Sequence, residues 1–72
     1  MAGTIQEVKA RHEKRLLSLP GVVSVGIGRG RDGQDEIVVG LDHPRTWTAM
    51  RIPGFLEGYR VRTDVQGRPR AL

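Results

Sequence analysis

Apolar positions near the start of the chain recur at a helical step. Ile5, Val8, His12, Leu16 and Leu19 are separated by three, four, four and three residues, which places them on one face of a helix from about Ile5 to Leu19. His12 is the polar member of that stripe and reads as a packed or boundary histidine. Thr4 is a suitable N-cap, and Glu7 three residues later completes a capping box, in which the two residues satisfy each other's unpaired N–H groups. Lys9, Arg11, Glu13 and Lys14 cover most of the remaining surface, with Arg15 beside the stripe. Pro20-Gly21 ends the helix, because Pro removes a donor and Gly frees the turn.

The step then changes to two. Val23, Val25 and Ile27 alternate onto one face of a strand over residues 22–28, and Ile37, Val39 and Leu41 do the same over 36–41. The Asp32-Gly33 dipeptide between them favours a tight turn, so the two form a hairpin. The opposite face carries Val22, Ser24, Gly26, Val38 and Gly40, a small and partly polar surface that a second backbone could approach closely. Asp42-His43-Pro44-Arg45 breaks the second strand, and Thr46 to Arg51 is a short helix or an irregular loop. Phe55-Leu56-Glu57-Gly58 reads as a turn, leading into a third strand in which Tyr59, Val61, Thr63 and Val65 alternate against Arg60, Arg62 and Asp64. The expected fold is α+β, with an N-terminal amphipathic helix packed on a small three-stranded sheet in the order helix, strand, strand, irregular segment, strand. Residues 1–72 form one domain without internal repeat or linker, and 67–72 form a basic tail expected to be mobile.

Composition narrows the function classes. The chain has 72 residues and a mass of 8.0 kDa, enough for one domain and too little for a multidomain enzyme or a complete dinucleotide-binding fold. No apolar run reaches the roughly 18 residues of a membrane span, and the N-terminus lacks a secretory signal, so no membrane association and a cytoplasmic setting are expected. With no Cys there is no disulfide framework, no thiolate zinc site and no thiol nucleophile. A domain of this size buries roughly 60% of the surface its unfolded chain exposes, a thin margin. Self-association or docking on a larger protein is therefore expected.

The string from Leu19-Pro20-Gly21-Val22-Val23-Ser24-Val25-Gly26-Ile27-Gly28 is followed by Ile37-Val38-Val39 and then by Ile52-Pro53 and Leu56-Glu57-Gly58-Tyr59-Arg60-Val61. Over residues 15–71 it resembles a small α/β domain that precedes trypsin-like protease domains in some bacterial proteins. The motifs are built of Gly and Val, so the resemblance implies a fold and carries over no catalytic residue; there is no room here for the protease part. The helix followed by Pro-Gly-Val and a strand is also similar to ferredoxin-like metal-carrier domains, but those need two Cys before the helix, which excludes them.

Gly28-Arg29-Gly30-Arg31-Asp32-Gly33 satisfies a G-x-G-x-x-G pattern literally. A dinucleotide site needs that loop to open a helix, whereas a strand follows here, so a plain Gly-rich hairpin is expected. His43 could serve as a ligand or base, but Ser18 and Ser24 are isolated and no nucleophile is matched to it. His12, His43, Asp42 and the Asp32, Asp35, Glu36 cluster show no recognised metal spacing. No catalytic residue, metal or cofactor is expected, and the chain is not read as an enzyme.

Two binding readings remain. Of the 12 basic residues only Lys9 and Lys14 are lysines, which leaves ten arginines, suited to bidentate contacts with phosphate or carboxylate. Arg29, Arg31, Arg60 and Arg62 are candidate phosphate contacts if the hairpin tip and third strand converge; Arg68 and Arg70 end the chain. Tyr59 is the only candidate for a base-stacking ring on the sheet, Phe55 is read as a core plug, and Trp47 as either a core residue or an exposed anchor. The leading expectation is a non-catalytic interaction or structural module that self-associates through the sheet at Val22, Gly26, Val38, Gly40 and Trp47. The alternative is an arginine-based nucleic-acid-binding protein.

Overall fold

The structure, a computed structural model, describes residues 3–43 and 46–65; the side chains of Thr46 and Trp47 fall outside that description. Helix α1 (Ile5–Leu17) begins at the expected capping box: the Glu7 amide donates to Thr4 Oγ1 at 3.2 Å and the Thr4 amide donates to Glu7 Oε1 at 2.9 Å. It closes two residues earlier than the periodicity predicts. Ser18 caps it, its hydroxyl donating to the Arg15 carbonyl at 2.6 Å, because the coming Pro20 disfavours a helical Leu19. Ile5, Val8 and Leu16 are buried and Leu19 packs beside them.

Strands β1 (Val22–Arg29) and β2 (Asp35–Leu41) form the antiparallel hairpin. The last strand, β4 (Tyr59–Val65), adds to β2 in parallel, with Ile37 opposite Val61 and Val38 opposite Arg62. A parallel neighbour requires a crossover. It is supplied by helix α2 (Thr46–Arg51) and by β3 (Phe55–Leu56), which pairs antiparallel with β4. The sheet is thus four-stranded and mixed, in the order β1-β2-β4-β3. The additional strand is two residues long, too short for alternation to announce it. Between β3 and β4 both Glu57 (φ 50°) and Gly58 (φ 90°) are left-handed, the geometry of a two-residue hairpin.

Helix α1 covers one face of the sheet, where Ile37, Val39 and Leu41 of the central strand meet Ile5, Val8 and Leu16. Thr48 of α2 is buried and its hydroxyl donates to the Pro20 carbonyl at 2.8 Å, which ties the crossover to the end of α1. No described helix is long and apolar enough to cross a membrane.

One expected surface residue is corrected. Val22 lies opposite Leu41 while Ser24 lies opposite Gly40, so β1 carries an extra residue at Val23, a β-bulge. The bulge reverses the facing of the residues before it: Val22 enters the core at 9% exposure and Val23 is turned out at 53%. Val22 is therefore a core residue and not part of the opposite face. Gly40 is also buried, Gly26 and Val38 are half-buried, and the Trp47 side chain and residues 67–72 lie outside the described residues.

Candidate functional site

Beyond the bulge, strand alternation places Ile37 and Val39 under the helix, and Glu36 and Val38 on the opposite, open face. In β4, Val61 pairs with Ile37, so Arg60 and Arg62 point to the open face as well. The β1–β2 turn bends over the same end of the sheet. Arg29, Arg31, Arg60 and Arg62 consequently line one hollow of about 480 Å³, together with Asp32 and Glu36. All four candidate phosphate contacts are brought together.

Glu36 forms the floor of this hollow. It is 5% exposed, and its Oε1 accepts from Arg62 Nε at 3.1 Å. Holding Nε from behind leaves the outer edge of the Arg62 guanidinium available for a ligand. Two glycines make room for the pair. A Cβ on Gly28 would stand 3.1 Å from Arg62 Nη2 and 2.9 Å from Val38 Cγ2, and one on Gly30 would strike the Glu36 carboxylate. The third glycine of the G-x-G-x-x-G string, Gly33, has φ +81° and serves the turn. There the Gly30 amide donates to the Gln34 carbonyl at 2.8 Å and the Gln34 amide to Asp32 Oδ1 at 3.1 Å. The string is a hairpin device that clears space for a buried carboxylate–guanidinium pair.

Four guanidinium groups face two carboxylates, so the hollow carries a net positive charge. Arg29 is also paired with Asp35 at 3.5 Å, an exposed contact of small energetic weight. Among the described residues, Arg31 and Arg60 carry no ion pair. These two arginines can meet an anion without giving up a partner.

The aromatic residues are placed differently from expectation. Tyr59 faces the helix side, packs against the core, and its hydroxyl donates to the Gly3 carbonyl at 2.9 Å. Phe55 is not a core plug: it is 61% exposed, because it pairs with Arg60 on the open side of the β3–β4 hairpin while Leu56 takes the buried side. Phe55 and Glu36 are the site residues that sequence reasoning missed. For Glu36 the signal was present, as the polar residue that opens a strand whose next position is core.

The histidines lie elsewhere. His12 Nδ1 accepts from Arg15 Nη2 at 2.9 Å, since a guanidinium can only donate; the ring proton therefore sits on Nε2 and is donated to Glu57 Oε2, also at 2.9 Å. With Arg11 Nε 3.4 Å from the same carboxylate, this cluster fastens α1 to the β3–β4 turn and holds Glu57 in its left-handed conformation. His43 is exposed at the end of β2. Among the described residues no group of three or more His, Asp or Glu is arranged to hold a metal ion.

No protein-family model, curated protein or solved structure matches this chain.

Proposed function

We propose that this chain is a non-catalytic binding module that holds the phosphate backbone of a nucleic acid in its arginine-lined hollow. The observation that carries the reading is the convergence of Arg29, Arg31, Arg60 and Arg62, from two segments distant in sequence, on one hollow with only two carboxylates. Arginine presents a planar fork that matches phosphate oxygens, and each such pairing displaces counterions from the strand.

Arg31 and Arg60 are the residues to remove. Arg62 also neutralises buried Glu36, so its loss would confuse binding with folding. An Arg31→Ala, Arg60→Ala double variant is expected to keep the wild-type melting curve while binding a labelled oligonucleotide more weakly. Its slope of log affinity against log salt should be shallower by about 2, one for each arginine taken off the phosphate backbone. Unchanged affinity and slope in fluorescence anisotropy would remove the phosphate reading.

A second reading, self-association through the sheet, is favoured by the edge of β1. Among the described residues that strand pairs only with β2, and Val23 and Ile27 are exposed along it. Such an edge can add a strand from a second copy or from a larger protein. A Val23→Lys substitution places a charge on the edge without touching the core. Light scattering is expected to show an assembled wild type and a monomeric variant; a wild type that is already monomeric at high concentration would dismiss this reading.

A further inference from the structure

We infer that the nucleic acid is single-stranded, with a phosphate among the arginines and an unpaired base stacked on Phe55; this rests on the phosphate reading above. Phe55, one of three aromatics in the chain, is more than half exposed on the open side of the sheet, and its ring offers a flat apolar surface on which another ring can stack. Phe55 is directly opposite Arg60 across the β3–β4 pair. Side chains of such pairs start about 4.5–5.5 Å apart, the scale on which one nucleotide joins its phosphate to its base. The hollow beside the Phe55 ring, of about 250 Å³, carries Asp32, Asp35 and Glu36 against Arg60 alone and adjoins the arginine-lined one through Asp32, Glu36 and Arg60, so the phosphate belongs on the arginine side and the uncharged base against the ring.

The ligand must therefore satisfy two chemistries side by side. An isolated phosphate engages the arginines and leaves the ring in water. A duplex offers phosphates, but its bases are stacked on one another and do not reach the ring. A single strand provides both, and the combination of a basic groove with an aromatic face is how sequence-tolerant single-strand binding is achieved. Gly26, where an added Cβ would meet nothing within 4 Å, leaves the strand room on the open face of β1.

The test uses the full chain and a labelled strand of roughly a dozen nucleotides, presented single-stranded, as a duplex, and as an abasic strand with the same phosphates. The single strand is expected to bind more tightly than the duplex. Phe55→Ala should weaken single-strand binding roughly five- to hundredfold and leave the abasic strand unchanged, and Phe55→Tyr should restore it. Because the ring is exposed, both variants are expected to melt like the wild type. If Phe55→Ala binds the single strand normally while the Arg31→Ala, Arg60→Ala variant does not, the stacking inference falls and the phosphate reading stands. A preference for duplex has the same meaning. If no form of the strand binds at low salt, both fall together.

Discussion

Leu16→Ala is expected to leave much of the protein unfolded at room temperature. Leu16 is 2% exposed and stands among the largest fully buried side chains, packed in the layer between α1 and the sheet. Truncating a buried leucine costs about 2–5 kcal/mol, the forfeited transfer energy plus the cavity left behind. A single core in a chain this short rarely supplies more than about 3–5 kcal/mol in all. The two quantities are of the same size, which is why one methyl-bearing side chain decides the outcome. By circular dichroism the melting midpoint should fall by roughly 10–40 °C, or the folded baseline should vanish. Leu17→Ala, at a 41% exposed neighbouring position on the same helix, should leave the midpoint nearly unchanged. Equal midpoints for the two variants would mean that α1 does not dock through the face described here.

Arg62→Ala is expected to destabilise the fold where Arg60→Ala does not, although both arginines line the same hollow. The difference lies behind them. Arg62 is bonded to a carboxylate that is almost wholly out of water, and removing it leaves Glu36 without that partner. A buried acceptor stripped of its donor costs about 1–3 kcal/mol. Breaking a fully buried ion pair costs about 3–5 kcal/mol, but the Arg62 side chain is half exposed, and water can enter from that side. Replacing the carboxylate as well, in Glu36→Gln with Arg62→Ala, should recover part of the loss. Urea midpoints of the two singles and the double measure the coupling directly. If Arg60→Ala and Arg62→Ala shift the midpoint equally, the pair contributes nothing to the fold and Arg62 is only a surface charge.

The local parts of this architecture were legible in the residues. Thr4 and Glu7 announce the start of α1 because a capping box needs only two side chains three positions apart. Ile37, Val39 and Leu41 announce β2 because a strand with one covered face must alternate. The α+β class follows from these two elements. Alternation alone places Val22 and Val23 on the opposite faces from those they occupy, since a bulge shifts the parity of a strand by one and leaves no mark in the pattern of valines itself. The exposure of Phe55 escapes the sequence for a related reason: a two-residue strand has no period to read.

The candidate site divides along the same line. Arg29 and Arg31 could be seen to share a turn, and Arg60 and Arg62 to share a strand face. That the two pairs meet depends on β4 lying parallel to β2, a pairing between segments more than 20 positions apart with no local determinant. The role of Glu36 depends on the same pairing, because its partner is supplied by β4.

That parallel pairing also sets the order in which the molecule can assemble. Helix α1 and the β1–β2 hairpin involve neighbours in sequence and close short loops, so they can form early. Docking of β4 must wait until the whole crossover has been brought round, which adds loop-closure entropy before any interaction rewards it. The arginine hollow is split across that late step, with Arg29 and Arg31 on the early part and Arg60 and Arg62 on the late one. It exists only in molecules that have finished folding. An anion held across the seam selects those molecules and raises the free energy needed to peel β4 away. Amide hydrogens of β4 should therefore exchange faster than those of β2 in the free protein, and slow the most when the ligand is present.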